Sequence, residues 1–141
     1  MEMRRSLPLT YVDSNYWIYW FDERLPEHNA ASKILDSIVK KDIVASTVTL
    51  IEVAHYFRSL PTKEFERRMG LLLGLETLAV ADFGVDVMGL CLSYLSKYSQ
   101  KGLGGRDCVI LATMEIVGSD VLLTHDKSFK AVSEIKVIDE I

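Results

Sequence analysis

The apolar residues of this chain follow two rhythms. Short, nearly continuous apolar runs at Leu9 to Val12, Ile43 to Ala45, Thr77 to Ala81, Val121 to Thr124 and Lys136 to Ile138 have the length of buried strands. Between them the spacing turns helical. From His28 to Lys40, Ala31, Ile34, Leu35 and Ile38 recur at i, i+3, i+4 and i+7, and from Val85 to Tyr98 the stripe is Val85, Met88, Leu92 and Leu95. The aromatic run NYWIYWF makes a brief helix after the first strand. Ser46 or Thr47 caps a helix that Pro61 stops, and Thr62 begins another with Lys63, Glu64, Glu66, Arg67 and Arg68 on its wet side. A helix from about Arg106 to Val117 and a short one from Ser128 to Val132 complete the pattern. Apolar strands alternating with helices predict an α/β fold, three layers deep (α/β/α), around a parallel sheet of four or five strands. No linker, repeat or low-complexity segment interrupts residues 1–141, so a single domain is expected.

Four acids stand at the ends of these elements. Asp13 leaves the first strand, Glu52 lies about one turn into the helix after the second, and Asp126 leaves the fourth. Asp107 opens a helix after the loop GLGG. In open parallel sheets the crevice lies at the carboxyl ends of the strands, where strand order reverses. If strands one, two and four are neighbours, three of these acids meet at one edge, and Asp107 joins them if its helix starts there. Clustered carboxylates suit hard divalent cations such as Mg²⁺ or Mn²⁺, and that points to metal-assisted phosphodiester chemistry. Each acid also has a structural explanation. Asp13 and Asp126 could cap turns or helices, Thr49 to Glu52 matches a capping box, and Asp107 complements a helix dipole.

Composition changes this picture little. The formal net charge of −4 lacks the basic surplus usual for nucleic-acid binders, but four carboxylates in one site would account for it and divalent ions would cancel it. Cys91 and Cys108 read as small buried hydrophobes of a reducing compartment, with no spacing that suggests zinc. The opening MEMRRSLPLTYVD is too short an apolar run for a signal peptide, and no stretch nears the ~18 apolar residues of a membrane span. A cytoplasmic protein without membrane contact is expected. Asp82-Phe83-Gly84, the loop from Gly102 and Glu52-Val-Ala-His55 are decoys, each lacking the companion motif its chemistry needs. His125 alternates with Thr124 and Asp126 and should point away from them.

In their order and intervals these settings resemble a PIN-domain ribonuclease, more narrowly the VapC-type toxins of toxin–antitoxin pairs. The likeness covers essentially the whole chain. It comprises Asp13, Ser14 and Asn15, then Glu52, then Arg106 and Asp107, then Thr124, Asp126 and Phe129. Ser14 stands where the family more often has threonine, and it keeps the hydroxyl. The resemblance implies a metal-dependent endoribonuclease in which Asp13, Glu52, Asp107 and Asp126 hold Mg²⁺ or Mn²⁺ and a water so activated attacks the RNA phosphodiester. Asn15 and Thr124 would position groups by hydrogen bonds, and Arg106 would contact phosphate. Lys101, Lys127 and Lys130 lie near enough to guide an RNA backbone. The resemblance further implies a homodimer and a cognate antitoxin. Outward members of the run Tyr16, Trp17, Tyr19, Trp20 and Phe21, with the paired helices of residues 47–73, would offer such a partner apolar surface. Two rivals stand beside it. One is an aspartyl-nucleophile phosphohydrolase of haloacid-dehalogenase-like type, which wants a second Asp where this chain has Asn15. The other is a non-catalytic scaffold that binds RNA or protein.

Overall fold

The computed structural model describes residues 9–141; Arg4, Arg5 and Pro8, on which the signal-peptide reading rests, lie outside the described residues. Five strands, β1 (Thr10–Val12), β2 (Ile43–Ser46), β3 (Leu78–Ala81), β4 (Val121–Leu123) and β5 (Lys136–Ile138), form one sheet in the order β3-β2-β1-β4-β5. Every neighbouring pair is parallel. Six helices connect them: α1 (Ser14–Phe21), α2 (His28–Ile38), α3 (Thr47–Phe57), α4 (Thr62–Leu73), α5 (Val85–Tyr98) and α6 (Gly105–Val117). The chain steps outward from β1 through β2 to β3, then crosses back to lay β4 on the free side of β1. Strand order therefore reverses between β1 and β4, and β1 has both β2 and β4 as neighbours, the condition on which convergence of the acids depends.

Helices cover both faces, which is why the strand sequences show apolar runs and not alternation. The side chains still alternate in space. Tyr11, Val44 and Leu122 join Cys91, Cys108, Leu111 and Phe129 in a core under α5 and α6. Val12, Ile43, Ala45 and Leu123 join Trp17, Leu35, Val53 and Leu72 under α1 to α4. Trp17 seals the second core: it is wholly buried and its indole N–H donates to the Val12 carbonyl at 3.2 Å. Cys91 and Cys108 are buried free thiols. Among the described residues, no helix is long and apolar enough to cross a membrane.

Two expectations about apolar surface are corrected. Tyr16 and Trp17 are fully buried, and Tyr19, Trp20 and Phe21 are half-buried against the same core, so the aromatic run offers no outward-facing set. The surface expected of residues 47–73 does exist, as exposed Ile51, Tyr56, Leu71 and Leu73. In α5 the stripe read from the sequence meets the core only at Leu95, and its other three members face outward. Val85 is 81% exposed, Met88 44% and Leu92 59%, while Val87, Cys91 and Tyr98 face the core. The helix carries apolar residues on two faces, and periodicity alone does not rank them.

Candidate active site at the β1–β4 seam

Asp13 follows β1 with extended backbone and caps α1, its Oδ1 accepting the Ser14 N–H at 2.7 Å. The Asp13 N–H donates to the Leu123 carbonyl at 3.0 Å, which carries the β1–β4 pairing one residue past the strand. The carboxylate is thereby pinned at the strand-order reversal. Thr124, just beyond β4, donates its hydroxyl to Asp13 Oδ2 at 2.7 Å. Thr124 Oγ1 in turn accepts from Asn15 Nδ2 at 3.3 Å and from the Asp126 N–H at 3.1 Å. Asn15 Oδ1 accepts the His125 N–H at 3.3 Å. Thr124 is the hub of this network, with its donor and both acceptor positions in use.

Glu52 reaches the edge from α3. That helix starts at Thr47, with Ser46 Oγ accepting the Val48 N–H at 3.1 Å, so the Thr49–Glu52 capping box is not formed and the Glu52 side chain is free of that duty. It makes an ion pair with Arg106. Asp107 sits in the first turn of α6, and its Oδ2 accepts the Gly104 N–H at 2.9 Å. Asp126 caps the 3-10 turn Lys127–Ala131, its Oδ1 accepting from the Ser128 N–H at 2.9 Å and the Ser128 hydroxyl at 2.7 Å. The structural roles foreseen for Asp13, Asp107 and Asp126 are therefore real, and each leaves carboxylate lone pairs over.

The electrostatics tie the four acids together. Asp13 is only 6% exposed. Burial pushes its carboxyl up to about 6; the Thr124 and Ser14 bonds oppose this, while the negative charges of Glu52 and Asp107 add to it. Asp107 is likewise raised, first by burial; the Gly104 N–H and Arg106 oppose this, and the Asp126 charge adds to it. Among the described residues, no cationic side chain lies in salt-bridge range of Asp13, Asp107 or Asp126. Nor, among the described residues, do any three His, Cys, Asp or Glu side chains stand at ligating closeness. The donor set fits a hard divalent ion: oxygen ligands only, with a buried carboxylate that neutral donors alone stabilise.

Two supporting groups escape a reading of the sequence. Tyr11 is buried under the sheet, yet its hydroxyl lies 2.6 Å from Thr49 Oγ1 and accepts the Ser46 N–H at 2.9 Å. It braces the start of α3 and so the approach of Glu52. Asp139, one residue past β5, accepts from the Tyr16 hydroxyl at 2.6 Å and lies 2.8 Å from His125 Nδ1. The His125 ring thus engages Asp139. Lys127, foreseen as an RNA guide, also pairs with Asp139, at 3.4 Å, and the Lys101 ammonium lies over the Tyr98 ring. A signal for Asp139 was present, since an acid just past a strand is what singles out Asp13 and Asp126.

Solved structures share this architecture. The chain superposes with a TM-score of 0.71 on VapBC2 of Rickettsia felis bound to a promoter DNA fragment, at 18% identity over 93% of this chain and 98% of the other. VapC20 of Mycobacterium tuberculosis, described as a sarcin–ricin-loop-cleaving toxin, gives 0.73 at 16% identity over 88% and 95% of the two chains. A toxin–antitoxin complex from Klebsiella pneumoniae gives 0.68 at 21% identity over 94% and 98%. No curated protein matches the chain by sequence. At these identities the structural likenesses establish the fold; the PIN domain family pattern itself matches residues 10–135, and the chain belongs to the PIN domain family.

Proposed function

We propose that this protein is a divalent-metal-dependent endoribonuclease and the toxin of a toxin–antitoxin pair. One observation carries the reading. A buried aspartate at the strand-order reversal is held only by neutral donors while three further acids act on it, directly or in relay. Family membership and neighbours described as toxins and toxin–antitoxin complexes support it.

Asp13, Asp107, Asp126 and Glu52 would hold Mg²⁺ or Mn²⁺. When bound, such an ion supplies Lewis acidity toward a phosphoryl oxygen and a water of lowered pKa. The chain supplies the rest. Thr124 fixes the rotamer of Asp13 through Oδ2, and Asn15 fixes Thr124. Asp126 and Asp107 are oriented through their bonds to Ser128 and Gly104. Arg106, paired with Glu52, is placed to exchange that carboxylate for a substrate phosphate when Glu52 turns to a cation.

An antitoxin segment would cover exposed Leu71 and Leu73 on α4, and the Val85–Met88–Leu92 stripe of α5 would form a homodimer seam. The deciding experiment incubates the purified chain with RNA in Mn²⁺, in Mg²⁺ and in EDTA, beside Asp13→Asn. Cleavage should require the ion and vanish in the variant. Phosphate trapped covalently on Asp13 would identify a phosphohydrolase instead, and RNA binding without turnover a scaffold. Sedimentation of Leu92→Glu as a monomer beside a dimeric parent would establish the seam.

A further inference from the structure

A groove opens beside Glu52 and runs between α1 and α3, about 450 Å³ in volume. Ser14, Glu52 and Arg106 bound it at the acidic end, and Ile18, Ile51, Tyr56 and Arg58 continue it away from the seam. Ile51 is 69% exposed and Tyr56 39%, so apolar surface stands in water directly beside the site. The Tyr56 ring does not swing freely. Its hydroxyl donates to Asp22 Oδ2 at 2.8 Å, and the ring stands edge-on to Phe57 with centroids 4.9 Å apart. A ring so fixed is a platform on which a nucleobase stacks at little entropic cost.

Arg58 adds charge at the same place. Arg24 pairs with Asp22, Arg67 and Arg68 with Glu64, and Arg106 with Glu52. Among the described residues Arg58 has no carboxylate in salt-bridge range; its Nη1 donates to the His55 carbonyl at 2.8 Å, which holds the guanidinium at the end of α3. A fixed guanidinium with uncompensated charge suits a phosphate. Along α3, which rises about 5.4 Å per turn, Tyr56 comes one turn after Glu52, and Arg58 follows it.

We propose that this groove is a single-stranded RNA subsite, taking the nucleotide next to the scissile linkage. Its base lies against Tyr56, Ile18 and Ile51, and its outer phosphate lies on Arg58. The proposal rests on the nuclease reading for its ligand. Continuity with the acidic site and the two guanidiniums favour RNA over a protein segment as occupant. Because stacking reads a π-face and not a base edge, the subsite tolerates any base.

The test is fluorescence anisotropy of fluorescein-labelled 2′-O-methyl hexauridylate and hexaadenylate, in EDTA, on the Asp13→Asn protein. Tyr56→Ala should weaken both about tenfold, and Tyr56→Phe, which keeps the ring, less than about threefold. Arg58→Ala should weaken binding and reduce the log–log salt slope by about 0.7. If Tyr56→Ala does not fold, Ile51→Ser and Arg58→Ala carry the test. In the parent with active Asp13, Tyr56→Ala should raise KM for cleaved RNA more than it lowers kcat. Absent oligonucleotide binding by the Asp13→Asn protein, or unchanged affinity in the groove variants, overturns the proposal. Unchanged RNA affinity with weakened capture of a co-expressed protein overturns it in favour of a protein-docking groove. Groove-dependent binding without metal-dependent cleavage by the wild type would instead remove the nuclease reading and leave the subsite standing.

Discussion

The two ends of α1 each carry a buried aspartate, and the two are treated in opposite ways. Asp22, 3% exposed at the C-terminal end, receives both a bidentate Arg24 and the Tyr56 hydroxyl. Arg24 holds its carboxyl well below the usual range, against the opposing effect of burial. Asp13, 6% exposed at the N-terminal end, has only hydroxyl and amide donors and is pushed up to about 6. A carboxylate that serves the fold has its charge compensated within the fold. One whose charge is left uncompensated, among other acids, costs the fold stability, and on the proposed reading a cation would offset that cost.

The sharpest test of the contrast is activity. Asp13→Asn should lower metal-dependent RNA cleavage by roughly 10²–10³ or more, whereas Asp22→Asn should stay within about twofold per folded molecule; initial rates normalised to circular dichroism amplitude would show it. Equal losses would erase the distinction.

Stability should invert that order. In the native state Asp13 keeps its proton up to about pH 6, while the unfolded chain loses it near the ordinary aspartate value of 3.8. The native state therefore binds more protons between those values, and stability falls as pH rises through them. The full cost above pH 6 is roughly 3 kcal/mol, from about 1.4 kcal/mol per pH unit. Without metal, Asp13→Asn should melt higher than wild type at pH 7.5 and lose that advantage at pH 4. Mn²⁺ should raise the wild-type midpoint and leave the variant nearly unmoved. Asp22 has the opposite sign: its depressed pKa contributes stability above the unfolded value that is lost as pH falls through the native one, so Asp22→Asn should melt lower than wild type at pH 7.5.

The smallest effect is the most diagnostic of mechanism. Thr124→Val removes a bond that lowers the Asp13 pKa. The acid limb of the pH–rate profile should move to higher pH, with a loss of about tenfold near its midpoint. A uniform loss at every pH would mean that Thr124 only shapes the loop.

Much of the architecture was legible because a doubly covered parallel sheet writes each strand as an apolar run and each helix as a period. The placement of Asp13 and Asp126 beyond β1 and β4 was legible because strand ends are. What could not be read is whatever depends on a partner distant in sequence. Tyr11 looks like an ordinary strand residue until β2 lies beside β1 and brings Thr49 and Ser46 to its hydroxyl. Period alone does not separate the exposed stripe of α5 from its core face, because Val87, Cys91, Tyr94 and Tyr98 form an equally good stripe. The pairing of Glu52 with Arg106 spans 54 positions and leaves no local trace.

The bond between Thr124 and Asp13 joins groups 111 positions apart. A ribosome that has delivered β1, β2 and β3 has released Asp13 and Glu52, but not the strand that closes the seam, nor Thr124 and Asp126. The seam cannot close before β4 and Thr124 have been made. A product that stops short of β4 therefore lacks the hydroxyl that holds Asp13 Oδ2, and whatever chemistry the seam performs is withheld until that late strand arrives.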